Sequence, residues 1–339
     1  LHPYIQFFAM QYVRFGSTDL EVSRIGFGAW AIGGEAEVGG IPIGWGTADD
    51  AVSVKALYKA LDSGITFYDT ADFYGLGHSE ELIGKTFGNR PEVVVATKVG
   101  QRQGEGNTIQ IDYSPEYVRK ACELSLRRLR RESIDFYQLH VAKVPHLQSG
   151  ELEGLLKDLQ KEGKIRWYGI SLVTFMPQPE AEFCLENRFG HGFQVVYNIF
   201  NQLITPYLAP MKEGNYGVIA RMPLQFGLLT GKFDVNTTFP SGDHRSFRLT
   251  KAVLQEAAKL LQPLQKMAQD YGMNLAQLAF SFILSHPAIS TVIPGIRTPE
   301  QAVRNAEIPP AISPADREWL VQFWQEDCRN LFAAMKQAG

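Results

Sequence analysis

The chain has 339 residues, 45% of them hydrophobic and 20% charged, with a formal net charge of −3. That composition suits a globular enzyme with a sizeable core, and the balance argues against nucleic acid or an anionic membrane as the main partner. Three scattered cysteines without a CxxC suggest neither a disulfide framework nor a zinc site. The expected setting is a reducing cytoplasm, and no apolar run approaches the ~18–20 residues of a membrane span.

Leu1 to Ala9 read as an N-terminal extension outside the fold, which leaves residues 10–339 as a single domain. Tyr12–Phe15, a turn cluster at Gly16–Asp19 and Leu20–Ser23 predict a short β-hairpin. Eight strand-like runs follow: Arg24–Ala29, Thr66–Tyr68, Val93–Thr97, Ile134–Leu139, Arg166–Ile170, Gln194–Tyr197, Gly217–Ala220 and Ser290–Ile293. Helical patterns separate them. Ser114-Pro115-Glu116 supplies an N-cap, a proline at the first helical position and an acid in the first turn. Behind it Val118, Ala121, Cys122, Ser125, Leu126 and Leu129 form one buried stripe. The cluster Arg127, Arg128, Arg130 and Arg131 suits a helix C-terminus better than a nucleic-acid surface. Ser313–Lys336 predicts one extra C-terminal helix.

Strands alternating with helices imply a parallel sheet. Eight such units favour closure into a (β/α)8 TIM barrel, and no GxGxxG opens the first unit. In a barrel of this kind the chemistry belongs at the C-terminal ends of the strands. Strand two ends at Asp69 with Tyr74 in the loop beyond it; strand three ends near Lys98 and strand four at His140. Singly, each has an ordinary explanation as a cap, packing residue, surface cation or scaffold. Together on adjacent strands they could reduce a carbonyl. A tyrosine can deliver the proton that must reach oxygen as hydride reaches carbon, and a neighbouring ammonium stabilises the tyrosinate left behind. Asp69 would hold Lys98 charged and aimed, and His140 would orient the carbonyl.

These segments also resemble a known family. Phe67-Tyr68-Asp69-Thr70-Ala71-Asp72-Phe73-Tyr74-Gly75, Gly26-Phe27-Gly28-Ala29-Trp30, Ala96-Thr97-Lys98 and Gln138-Leu139-His140 are similar to motifs of the aldo-keto reductases, over about residues 11–310. The resemblance puts the family's catalytic tetrad on Asp69, Tyr74, Lys98 and His140 and implies NADPH as cofactor, bound without a Rossmann domain. It implies that Ser171 and Gln194 hold the nicotinamide amide. Pro223, Leu224, Gly227, Leu228 and Lys232 fall in a loop similar to the one that covers the pyrophosphate. Read as a P-loop, Gly227 to Lys232 is one residue short and lacks the Ser or Thr for Mg²⁺.

After strand eight, Thr298 and Gln301 have the form of a capping box with Pro299 at the first helical position. Such a helix start binds anions, and Arg297 beside it suits a phosphate, which favours NADP over NAD. Gly295 lies in the same turn, and Gln301 and Asn305 match family positions at the adenosine end. The chain departs from the family pattern at Leu172, where Asn is usual, at Ile219-Ala220-Arg221-Met222-Pro223, where a Tyr that stacks on nicotinamide is common, and at Val141-Ala142-Lys143, where a polar or aromatic residue and an acid are more usual. Arg221 is expected to stack on the ring or bind the pyrophosphate.

Trp30, Trp45 and Phe73 are expected to wall a carbonyl pocket. The glycine-rich stretch Gly33–Gly46 reads as a mobile lip, and Val99–Tyr113 and Asp234–Leu249 as covering loops. Two rival readings stand beside the reductase: a Schiff-base lyase working through Lys98, and an NADPH-binding regulatory or redox-sensing subunit with slow turnover.

Overall fold

The computed structural model describes residues 9–339, so the proposed extension lies outside the described residues except for Ala9. Eight parallel strands form the sheet: Phe27–Gly28, Phe67–Asp69, Val94–Val99, Ile134–His140, Ile165–Ser171, Gly192–Val196, Gly217–Arg221 and Thr291–Ile293. Neighbours in space are neighbours in sequence, and parallel bridges Ile25–Val292 and Gly28–Gly295 join the last strand to the first. Each predicted run overlaps one of these strands. The barrel is therefore the expected one, called here strands one to eight.

The strand period of two sorts the side chains into two shells. Tyr68, Val95, Tyr137, Ile170, Val195, Ala220 and Val292 join the large apolar cluster shared with the surrounding helices. The alternate positions Phe67, Val94, Ala96, Phe136, Ile219 and Ile293 form a separate, smaller cluster inside the barrel. Two residues further along the same strands, on the same face, come Asp69, Lys98, Gln138 and Arg221. The interior is thus apolar at the bottom and polar at the mouth.

The predicted hairpin pairs Tyr12–Arg14 with Glu21–Ser23 and closes the bottom. Its Phe15, Leu20 and Val22 complete the inner cluster. Phe15 is edge-on to Phe136, ring centroids 5.0 Å apart. Gly217 makes room for it, because a Cβ there would lie 2.4 Å from the Phe15 ring.

Helix signals were read correctly where a cap and a stripe coincide. Ser114 caps Pro115–Leu129 by accepting from the Tyr117 amide, and the helix ends at Arg130 in the left-handed region, φ 53°. The arginines at that end have specific partners: Arg128 pairs with buried Glu80 at 3.1 Å and Arg131 with buried Asp135 at 2.9 Å.

Three stretches expected to be irregular hold structure of their own. Glu37–Val38 pairs with Ile41–Pro42, Gln101–Gln103 pairs with Ile109–Ile111, and Arg245–Arg248 is a short helix. The single C-terminal helix is in fact two, Pro314–Glu326 and Arg329–Gln337. The chain turns at Asp327-Cys328, where Cys328 is buried and Trp324 meets Phe332 edge-on at 5.1 Å. Burial of Leu331 and Met335 drives that turn, with no glycine or proline to announce it. Cys122, Cys184 and Cys328 are free and buried. No helix among the described residues is long and apolar enough to cross a membrane.

Candidate active site

Strand register brings the polar layer together. Gly28 pairs with Asp69, Lys98 with Gln138, His140 with Ser171, and Ser171 with Gln194. Lys98 is fully buried at the floor of the mouth. Its Nζ donates to Asp69 Oδ2 at 2.6 Å, the Thr70 carbonyl at 2.8 Å and the Tyr74 hydroxyl at 3.1 Å. Burial opposes the ammonium charge, but Asp69 and Tyr74 outweigh it and raise the Lys98 pKa. The pair is strongly held because both ions are hydrogen-bonded as well as buried.

Tyr74 owes its position to a sharp turn, Tyr74–Gly77. Gly75 there has φ 60°, and a Cβ on it would lie 2.0 Å from the Gly33 carbonyl oxygen. Only glycine permits both the left-handed backbone and that close approach. Trp30 stacks on the Tyr74 ring at 5.9 Å, and His140 meets it edge-on at 6.0 Å. Desolvation first, then the charges of Lys98 and Arg221, hold the His140 pKa well below the usual imidazole range. The imidazole is therefore neutral at physiological pH.

The other Asp69 oxygen, Oδ1, accepts from Gln194 Nε2 at 2.6 Å and Gln138 Nε2 at 3.1 Å. Gln194 Nε2 also reaches Gln138 Oε1 at 3.1 Å, and Ser171 Oγ donates to Gln194 Oε1 at 3.3 Å. Gln138 is the residue that sequence reasoning passed over. It stood in the quoted motif, but its partners are distant in sequence.

A cleft of about 1090 Å³ opens above this layer. Asp69, Tyr74, His140, Gln194, Arg221, Pro223, Leu224, Gly227, Lys232, Gly295, Arg297 and Gln301 line it, as do Trp30, Trp45 and Phe73. Lys98, Ser171, Leu228 and Asn305 are buried behind that surface. The turn Met222–Phe226 carries positive φ at Met222, Gln225 and Phe226, strain of the kind that collects at functional sites. Buried Asn198 holds it by donating to the Met222 carbonyl and Gln225 Oε1, both at 2.9 Å.

The capping arrangement after strand eight differs from the expected box. Thr298 accepts from the Gln301 amide at 3.3 Å, but the Gln301 side chain reaches the Arg297 amide, at 2.7 Å, rather than that of Thr298. The Arg297 guanidinium donates to the carbonyls of Trp45, at 3.1 Å, and Thr47. Its partners are neutral, and so are those of Arg248, another cleft-lining cation that sequence reasoning missed. Lys232, Arg248 and Arg297 have no carboxylate within 4.0 Å among the described residues. One cleft therefore joins the hydrogen-bonded Lys98–Tyr74 cluster to a wall of cations without ion-pair partners among the described residues, which fits a long, polyanionic cofactor.

The supposed lip is tied down. Trp45 bridges to Asp243, the His244 amide donates to the Gly44 carbonyl at 3.0 Å, and His244 Nδ1 donates to the Pro42 carbonyl at 2.9 Å. Two loops far apart in sequence thus form a strap over the cleft.

The profile of the aldo/keto reductase family matches residues 24–310. The chain is 33% identical over 311 residues to the aldo-keto reductase YhdN of Bacillus subtilis, covering 88% of each protein. Its fold is similar to the glycerol dehydrogenase of Gluconobacter oxydans, with TM-score 0.78, 30% identity, and 93% of this chain and 95% of that one covered. It is also similar to an aldo-keto reductase of Klebsiella pneumoniae in complex with NADPH, with TM-score 0.67, 25% identity, and 94% and 96% covered.

Proposed function

This chain belongs to the aldo/keto reductase family, and on that premise we propose that it reduces an aldehyde or ketone to an alcohol with NADPH, Tyr74 giving the proton. The observation that carries the proposal is the hydrogen bond of 3.1 Å from buried, Asp69-paired Lys98 to the Tyr74 hydroxyl. When bound, NADPH supplies the hydride for the carbonyl carbon. Tyr74 donates its proton to the carbonyl oxygen, and the Lys98 ammonium stabilises the phenolate that remains. Neutral His140 orients the carbonyl by hydrogen bonding. Trp30, Trp45 and Phe73 exclude water around it.

In this reading Ser171 and Gln194 hold the amide of the nicotinamide, and Pro223, Leu224, Gly227, Leu228 and Lys232 cover the pyrophosphate. Gly295, Arg297, Gln301 and Asn305 take the adenosine end. The neutral hydrogen-bond partners of Arg297 leave its charge free for a phosphate, which supports NADP over NAD, as does the NADPH complex of the similar Klebsiella pneumoniae protein. Residues 10–339 form one domain in this reading, supported by an apolar cluster that runs from Ile25 to Met335. A cytoplasmic setting is supported by the three free cysteines.

The Schiff-base alternative needs an accessible, deprotonated amine. Lys98 is fully buried with its charge stabilised, which speaks against it. Catalysis is separated from a slow regulatory subunit by turnover. Tyr74→Phe should lower NADPH-dependent reduction of a carbonyl panel about 10²–10⁴-fold, while NADPH still quenches tryptophan fluorescence. Reduction within twofold of wild type would overturn the role of Tyr74, and negligible wild-type turnover with tight NADPH binding would favour the regulatory reading. Arg297→Ala should weaken NADPH far more than NADH; equal weakening would remove the phosphate assignment.

A further inference from the structure

Arg221 ends strand seven between Val196 of strand six and Ile293 of strand eight. It lines the cleft with Tyr74, His140 and Gln194. Its Nη2 donates to the Leu172 carbonyl at 2.9 Å and Thr174 Oγ1 at 3.3 Å, and its Nη1 lies 3.0 Å from Met222 Sδ. All three are neutral, and Nε is buried without a partner among the described residues. An arginine keeps its proton in such surroundings, so a full positive charge stands here with no ion-pair partner among the described residues.

The other charges nearest Tyr74 are paired or, at buried Asp72, disfavoured by burial. Lys98 and Asp69 neutralise one another at 2.6 Å. Lys143, also on the cleft, lies 3.8 Å from Glu180. His140 is kept neutral by burial first, then by Lys98, and last by Arg221, which is close enough to disfavour its protonation. Tyr74 and Asp69 are within electrostatic reach of Arg221 as well. A nicotinamide that exchanges hydride beside Tyr74 and His140 must therefore lie in the field of this cation, whichever face it presents.

We propose that Arg221 makes the cleft discriminate between the redox states of its cofactor, binding the uncharged reduced nicotinamide more tightly than the positively charged oxidised one. The inference rests on the reductase reading above and adds a property to it. The phosphate charges are common to both states and drop out of the comparison; only the ring charge differs. One unit charge acting on another across a partly screened protein site alters affinity by about ten- to thirtyfold. The site then releases oxidised cofactor readily after each reduction, which limits product inhibition.

The test is direct binding of NADPH and of NADP+, each titrated into wild type, Arg221→Gln, Arg221→Met and Arg221→Lys, with thermal melts to establish folding. Wild type should bind NADPH about tenfold or more tightly than NADP+. Both uncharged variants should bring that ratio towards one, while Arg221→Lys, which keeps the charge and loses the planar group, should preserve it. The contrast isolates charge from packing, since a stacking or structural role would make Lys fail with the other two. A wild-type ratio near one, or a ratio that survives in either folded uncharged variant, overturns the proposal and leaves the reductase reading standing. Wild type that binds neither form overturns both.

Discussion

Asp69 divides its two oxygens between two tasks. Oδ2 holds the Lys98 ammonium, while Oδ1 is clamped by the amides of Gln138 and Gln194. Without Gln138 the carboxylate keeps its ion pair but loses one of the two donors that set its angle. Gln138→Leu should therefore lower kcat about ten- to hundredfold through misaligned proton donation. Unaltered kcat in a folded variant would show that Gln194 alone suffices. The grouping of Asp69, Tyr74, Lys98 and His140 was legible in the sequence because four reactive residue types fell at or beside the ends of three adjacent strands. Gln138 was not, since its bond to Asp69 spans 69 residues. The partners of Arg297 were hidden for the same reason: Trp45 and Thr47 lie 252 and 250 residues away.

The strap shows what individual elements contribute. His244 has a defined tautomer: Nδ1 donates to the Pro42 carbonyl, and Nε2 accepts from Arg248 Nε at 3.1 Å. Burial first, then the Arg248 charge, lowers the His244 pKa to about 4, against the opposing effect of the Pro42 carbonyl. Because the folded value is depressed, this histidine's contribution is complete above an unfolded value near ~6.5. It is lost progressively as pH falls towards about 4, when the added proton removes the acceptor and confronts Arg248. Hydrogen-exchange protection factors in residues 42–47 and 243–249, corrected for the intrinsic pH dependence of exchange, should fall across that window and show no such histidine-linked change above it. His244→Ala should raise NADPH dissociation about tenfold at neutral pH, since each lost hydrogen bond is worth about 1 kcal/mol. Dissociation unchanged in that variant would mean the strap does not retain the cofactor. The sequence marked these stretches as coverings without showing that they join, because pairing between loops depends on where the barrel brings them.

Across the whole molecule, stability and chemistry occupy opposite ends of one interior. The hairpin plug and the inner apolar layer lie beneath, and the hydrogen-bonded polar layer lies two residues up each strand. Phe15→Ala removes the ring that packs against Phe67 and Phe136. It should cost about 3–5 kcal/mol of stability, with NADPH affinity at 25 °C unchanged while the protein remains folded. A melting temperature equal to that of wild type, or a parallel loss of cofactor affinity, would contradict that separation. What the sequence determined alone was the barrel and the four residues at its mouth. Both follow from short-range regularities: the alternation of strand and helix patterns, and the position of a residue relative to the end of its own strand. What only the tertiary structure decided was the Gln138 clamp, the strap, the break in the last helix and the uncompensated charge of Arg221. Each depends on which distant groups closure of the barrel brings within hydrogen-bonding reach, or on which counter-charges it keeps away, and no local pattern encodes that.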